Sequence, residues 1–175
     1  MKEFNIRKAS FSDIEKIMAI ENDSFIPEIR EKREIFLERL SVFPEGFFLF
    51  EEKESGKAAG YFSSELWELI PDFKDFSVGH SIKKIHSAKG KIIYVSSFAL
   101  LKNLRGKGNG TKLFNAALKE LEACFSPEKE ALMVNEVWKG ARHIYKKSGF
   151  MELCRIEKAF FPFNAGIVME RHCRL

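Results

Sequence analysis

Apolar and polar residues alternate over Phe4–Lys8, which predicts a short strand. Ser12-Asp13-Ile14-Glu15 has capping-box spacing and predicts a helix from Asp13, with Ile14, Ile17, Met18 and Phe25 on one face. Pro27 breaks that pattern. Ile29, Phe36, Leu40 and Phe43 then recur at helical spacing and predict a second helix over Glu28–Phe43. Pro44-Glu45-Gly46 reads as a turn, and Phe47–Glu51 and Ala58–Trp67 read as a hairpin closed at Ser55-Gly56. Glu68–Gly90 has no period; a loop of that length in a compact domain is usually functional or mobile. Beyond it come a strand over Lys91–Leu101, an amphipathic helix over Lys112–Phe125 and a turn at Ser126-Pro127-Glu128. A strand over Glu130–Asn135, a short helix over Val137–Lys147 and two closing strands near Phe150–Phe160 and Ala165–Cys173 complete the chain.

The resulting order, β-α-α-β-β-β-α-β-α-β-β, predicts an α+β (α/β mixed) domain. Its sheet is mostly antiparallel, with one βαβ crossover at the centre. At 175 residues and 45% hydrophobic content, the chain can bury a core as one domain over 1–175. Most of its 18 phenylalanines are expected in that core. No repeat, low-complexity tract or linker interrupts it.

Charge narrows the partners. The formal net charge is +4, from 29 basic and 25 acidic residues that are interspersed. No basic cluster is long enough for a nucleic-acid arm, and the mild excess suits an anionic cofactor. Cys124, Cys154 and Cys173 are odd in number and far apart, so a reducing cytoplasm is expected rather than a disulfide framework. No apolar run reaches membrane-spanning length, and the N-terminus lacks a signal core. His80, His86, His143 and His172 lack metal-ligand spacing, and no metal site is expected.

The most specific stretch is Arg105-Gly106-Lys107-Gly108-Asn109-Gly110-Thr111, set between a strand and a helix. Three glycines in five residues let backbone N–H groups converge on one point, next to the positive end of a helix dipole. Such a loop binds phosphate or pyrophosphate. An ordinary Gly/Lys turn is the alternative reading. Neither a Walker loop nor a dinucleotide fingerprint fits the spacing. R-x-x-G-x-G does, as Arg105, Gly108 and Gly110. About 35 residues on, Tyr145-Lys146-Lys147-Ser148-Gly149-Phe150 ends the short helix, with Ala141 one turn before Tyr145 and Gly149 as a left-handed C-cap.

Together these two motifs resemble the GNAT superfamily of acyl-CoA-dependent N-acyltransferases, and the element order matches that fold across essentially the whole chain. The resemblance implies that the strand before the glycine loop splays from the next one and receives the pantetheine of acetyl-CoA. It implies backbone contacts from Phe98, Ala99 and Leu100, and pyrophosphate contacts from Arg105, Gly106, Lys107, Gly108, Asn109, Gly110 and Thr111. Tyr145 is implied as the hydroxyl that stabilises the departing thiolate; a tyrosine packed under the sheet is the alternative. A thiol and a phenol have pKa values of ~8.5 and ~10, so the role is stabilisation of developing charge rather than full proton donation.

The base is less plain. Alternation puts Tyr94, Ser96 and Phe98 on one face of the central strand. None is a good base, although Ser96 could hold a water and Tyr94 could relay a proton. Glu65, His80 and His86 are further candidates. Trp138 stands where many family members carry an asparagine. A narrower similarity to the arylalkylamine N-acetyltransferase branch rests on Glu21-Asn22-Asp23-Ser24-Phe25, Leu66-Trp67 and Glu170-Arg171-His172-Cys173. The two strand histidines of that branch are replaced here by Tyr94 and Ser96.

The expected activity is therefore acetyl transfer from acetyl-CoA to a primary amine. A small-molecule amine, with an aromatic one included, leads. A protein N-terminus or lysine comes second, and a CoA-binding module without turnover third. Nucleic acid and membrane are not expected partners, and a homodimer is compatible with the sequence.

Overall fold

The computed structural model describes residues 3–71 and 76–173. Seven strands form one sheet: β1 (Phe4–Lys8), β2 (Phe47–Glu52), β3 (Ala58–Trp67), β4 (Ile92–Leu100), β5 (Lys129–Asn135), β6 (Met151–Phe160) and β7 (Asn164–His172). Their order across the sheet is β1-β2-β3-β4-β5-β7-β6. Every neighbouring pair is antiparallel except β4 and β5, which are parallel and joined by a helical crossover. The four helices are α1 (Ile14–Ser24), α2 (Arg33–Val42), α3 (Asn109–Phe125) and α4 (Lys139–Lys147). Element types and order follow the hydrophobic pattern.

The boundaries differ where side chains compete for the backbone. The capping box lies two residues earlier than expected: the Asp13 carboxylate accepts from the Ser10 N–H (3.0 Å), and a 3-10 turn over Phe11–Asp13 leads into α1. Arg7 fixes this start, donating to Asp13 at 2.8 Å and to Glu51 at 2.7 Å. The expected helix over Glu28–Phe43 is split. Pro27–Ile29 forms a 3-10 turn, and regular helix begins only at Arg33. The reason is Glu21, whose carboxylate takes the Glu31 N–H at 2.8 Å and holds that segment out of a helix. The predicted loop over 68–90 gains a 3-10 turn at Ile82–Lys84, which plants Ile82 in the core.

Helices α3 and α4 cover one face of the sheet, over Phe62, Ile93, Val95 and Leu132; α1 and α2 cover the other, over Leu49, Tyr61 and Ala99. Phe114 is fully buried at the centre of the first cluster. Its ring lies 5.7 Å from Phe62, 5.3 Å from Phe98, 5.9 Å from Phe150 and 5.0 Å from Tyr145. These tilted and edge-on contacts add to the burial term and fix the placement of the Tyr145 ring. Phe114→Ala is expected to cost about 3–5 kcal/mol, as for other buried aromatic deletions. Urea denaturation would measure it, and a loss under about 1 kcal/mol would show that the cluster is not the keystone described.

Candidate active site

The site begins where two strands part. Parallel pairing of β4 with β5 runs from Ile92↔Lys129 to Val95↔Leu132 and stops, although β4 continues to Leu100 and β5 to Asn135. On its other side β4 stays paired with β3 to Leu100. The Leu101 N–H donates to the Ala59 carbonyl. Strand alternation therefore turns the backbone of Ala99 toward β3 and that of Phe98 and Leu100 toward the gap. The Leu100 carbonyl already accepts there from Arg105 Nε (2.9 Å) and Ser24 Oγ (3.3 Å).

The gap opens onto the glycine loop. Gly106 and Gly108 have φ of 75° and 77°, the left-handed region that glycine adopts without a Cβ penalty. The helix begins at Asn109, three residues earlier than its hydrophobic pattern suggests, so the last loop glycine lies inside α3. The first helical bond is Lys112 N–H to the Gly108 carbonyl (3.3 Å). Among the described residues, the N–H groups of Gly106 and of Gly108 through Thr111 make no backbone bond, which leaves a cluster of donors at a helix N-terminus and fits a diphosphate. Asn109 is buried and donates its side-chain amide to the Leu104 carbonyl (3.0 Å). Arg105 likewise braces the loop through Leu100.

A cavity runs from this gap to the α1/α2 side. Glu21, Phe25, Arg39, His80, Ser97 and Tyr145 are among its walls. Tyr145 is buried and its hydroxyl makes no hydrogen bond to a described residue; burial pushes its pKa well up, so it stays protonated. Arg39 is fully buried and donates end-on to Glu31 at 2.5 and 2.6 Å. Glu65, fully buried, accepts from Trp67 Nε1 (2.9 Å) and from His80 Nε2 (2.8 Å). His80 Nδ1 faces the Ser77 carbonyl at 3.1 Å. His80 is thus held at both ring nitrogens, by the Glu65 carboxyl and by the Ser77 carbonyl. Burial opposes a charge on the ring, but the hydrogen bond and charge of Glu65 outweigh it and raise the pKa. Glu21 is buried with one oxygen on the Glu31 N–H and the other accepting from the Tyr61 hydroxyl at 2.5 Å; Tyr61 in turn lies 2.8 Å from Ser97 Oγ.

Several expectations change at β4. The β3–β4 register runs Ser63↔Ser97 and then Ser64↔Val95, leaving Ser96 as an extra residue in a bulge. Tyr94 and Phe98 therefore do not share a face as expected. Phe98 packs with Phe62 and Phe114 under α3, whereas Tyr94 stacks on Trp67 at 3.9 Å in the opposite cluster. Ser96 Oγ lies 2.6 Å from Ser63 Oγ, which uses its hydroxyl in bracing the bulge. His80 is spent on Glu65; His86 Nδ1 accepts from the Leu66 N–H (3.1 Å), and the His86 ring packs at a tilt against Phe43. The trio of buried Glu21 and Tyr61 with half-buried Ser97 was not singled out from sequence. Its one local signal is that Glu21 follows Ile17 by four and Ile14 by seven residues, a carboxylate on the apolar stripe of α1. Outside this site, Glu122, Glu130 and Cys173 bring donor atoms within 4.8 Å of one another, with the Arg171 guanidinium bonded to both carboxylates.

Comparison with known proteins agrees with this geometry. A model of the Acetyltransferase (GNAT) family matches residues 14–150. The chain belongs to the GNAT acetyltransferase family. It is 30% identical over 152 residues to an N-alpha-acetyltransferase of Sulfurisphaera tokodaii, covering 87% of this chain and 83% of the relative. Its fold is similar to that of Ard1 from Thermoplasma volcanium, with a TM-score of 0.78, 19% identity, and 98% and 99% of the two chains covered. It is also similar to a GNAT-like decarboxylase, GphF, in complex with isobutyryl-CoA, with a TM-score of 0.82, 15% identity, and 97% and 100% covered. Family and relative support acyltransferase activity.

Burial of Glu21 gives a pH signature. Desolvation raises its pKa to about 7 despite the Tyr61 and Glu31 hydrogen bonds that lower it. A carboxyl raised in the folded state contributes stability in full below the unfolded value, near ~4.3, and loses it as pH rises through the folded value. Between about pH 4.5 and pH 8, Glu21→Gln is therefore expected to gain roughly 3 kcal/mol relative to the native sequence. Urea denaturation at several pH values tests this; parallel stability profiles would refute the shift.

Proposed function

We propose that this chain is an acetyl-CoA-dependent N-acetyltransferase whose acceptor is the α-amino group of a protein or peptide. The observation that carries the acyl-CoA half is the free edge of β4 past Val95, leading into a row of unbonded loop amides. Phe98 and Leu100 would offer backbone bonds to the pantetheine arm, and Gly106 through Thr111 their N–H groups to the diphosphate. The thioester supplies an activated acetyl group. Tyr145 is suited to meet its sulfur: it lines the cavity, is held by Phe114, and has a protonated hydroxyl with no partner among the described residues.

Three observations favour an α-amine. The first is the relationship to an N-alpha-acetyltransferase at 30% identity. The second is the cavity mouth. Lining residues Phe25, Val78 and Phe160 adjoin or belong to segments that expose Ile26 (51%), Val78 (42%), Phe161 (53%) and Phe163 (75%), an apolar rim suited to residues following a peptide N-terminus. The third is proton chemistry. An α-amine, with pKa near ~8, is neutral in about one molecule in ten at neutral pH, against roughly one in 2,500 for a lysine amine. A small aromatic amine is the second reading, favoured by the aromatic walls Phe25, Tyr94, Trp138 and Phe160.

The test is release of free CoA with two panels, short peptides with free N-termini and arylalkylamines. At least tenfold higher kcat/KM for some peptide is expected. The reverse ranking would move the acceptor to small amines, and no turnover with either panel would defeat the enzyme reading. Tyr145→Phe is expected to lower kcat by about 10²-fold or more, the usual scale of a positioned proton donor, with acetyl-CoA affinity by calorimetry unchanged. Equal loss of binding and turnover would make Tyr145 a packing residue instead.

A further inference from the structure

We infer that Glu21 is the terminal proton acceptor for the incoming ammonium group, reached through Ser97 and Tyr61. This rests on the transferase reading above and names the proton route that reading lacks.

The direction of the hydrogen bonds makes the argument. Glu21 Oε2 accepts from the Tyr61 hydroxyl at 2.5 Å. Tyr61 has one hydroxyl hydrogen, and it is committed to the carboxylate. The 2.8 Å contact between Tyr61 and Ser97 must then be donated by Ser97 to the phenol oxygen. Ser97 has in turn spent its only hydrogen, so the lone pairs of its Oγ are left to accept. Ser97 lines the cavity beside Phe98, whose backbone faces the gap between β4 and β5. An ammonium group presented to the thioester there meets an oxygen that can only accept. Behind that oxygen lies an unbroken chain of two hydrogen bonds to a buried carboxylate.

The surroundings suit a proton sink. Glu21 itself is 1% exposed. Glu31 faces it from the segment before α2, Arg39 from α2, Tyr61 from β3 and Ser97 from β4. Arg39 and Glu31 are bonded to each other and offset one another's charge. Farther along the wall, His80 and Glu65 are bonded in the same way. Glu21 alone of these acids has no Arg or His hydrogen-bonded to it, and burial raises its pKa to about 7. Two other candidate bases are occupied: His80 is bonded at both ring nitrogens, and Ser96 is bonded to Ser63.

The step balances. The ammonium gives one proton to Ser97 Oγ as Ser97 passes its own to Tyr61 and Tyr61 passes its own to Glu21. The neutral amine then attacks the acyl carbon. The C–N bond forms, the C–S bond breaks, and a second nitrogen proton goes to the departing sulfur on the Tyr145 side. Glu21 returns its proton to solvent. The products are the amide, free CoA and one released proton.

The experiment compares the native protein with Glu21→Gln and Ser97→Ala, using an accepted peptide between about pH 5.5 and 9.5. At pH 7 each variant is expected to lose about 10²-fold in kcat, with KM for acetyl-CoA unchanged. The deficit should shrink at least tenfold by pH 9.5, where the acceptor arrives neutral. Without any substrate, carboxyl NMR of the native protein should show a glutamate titrating near 7 that is missing from Glu21→Gln. The signal of Glu130, whose burial on the other face likewise pushes its pKa up to about 7, should remain. Variants within threefold of native at every pH would overturn the relay, as would a deficit that does not change with pH, since that marks a structural role. If Glu21→Gln fails to fold, Ser97→Ala decides by the same criteria. A native protein that accepts no amine defeats the transferase reading instead, a result separable from native turnover that the variants share.

Discussion

Two parallel strands that begin as hydrogen-bonded partners and then separate leave backbone donors and acceptors exposed inside a protein. That is the constraint from which the rest of this molecule follows. Pairing between β4 and β5 ends at Val95↔Leu132, and several residues of each strand run on. Unpaired backbone groups in a dry interior cost as much as lost hydrogen bonds, so such a gap persists only when something else fills or satisfies it. Here the flanks are held apart by well-packed matter. Phe98, Phe114, Tyr145 and Phe150 form a wedge of rings on one face, and Gly110 lets α3 approach α4 so closely that an added Cβ would lie 2.6 Å from Ile144 Cδ1. The wedge that keeps the gap open also carries Tyr145, so the site's geometry and its core are one structure.

The opposite wall is organised by charge. Five ionisable side chains, Glu21, Glu31, Arg39, Glu65 and His80, sit in or beside a single cavity. Four are paired off, Arg39 with Glu31 and His80 with Glu65. Buried pairs of this kind are neutral to unfavourable for stability when compared with apolar packing of the same volume. Their value lies in what they leave behind. With Arg39 spoken for by Glu31 and His80 by Glu65, Glu21 feels desolvation more than any attraction, and its pKa rises rather than falls. The same carboxylate holds the Glu31 N–H and stops α2 from starting early, which keeps the segment at the cavity mouth extended.

How much of this can be read from the chain depends on the range of the interaction. The glycine loop and the Tyr145 turn are local: glycine conformations and a helix terminus lie within a few residues of each other, so spacing alone picks both segments out as candidates. The sheet order follows from hydrophobic period and element sequence. The face assignments on β4 do not, because the bulge at Ser96 arises from register against β3, set by residues about 33 positions away, and one extra residue reverses alternation beyond it. Tyr61 and Glu21 are 40 residues apart in the chain and Tyr61 and Ser97 are 36, so no window joins them. Only Glu21's place on the apolar stripe of α1 hints at burial, and an isolated acid on such a stripe does not reveal its partners.

The proton route and the acceptor class bear on each other. A carboxylate titrating near neutrality and reached through two hydroxyls is a modest base. It is well matched to an ammonium of pKa near ~8 and poorly matched to one near ~10.4, where the transfer lies more than three pKa units uphill, about 4–5 kcal/mol, before attack begins. A lysine or alkylamine acceptor would call for a stronger base or a site that lowers the amine's pKa, and the cavity's carboxylates would do the reverse by stabilising the cation. On the proposed route, the weakness of Glu21 as a base becomes an argument about substrate: a buried acid that suits an N-terminal amine would discriminate against the more basic side-chain amines, before any contact with the residues that follow.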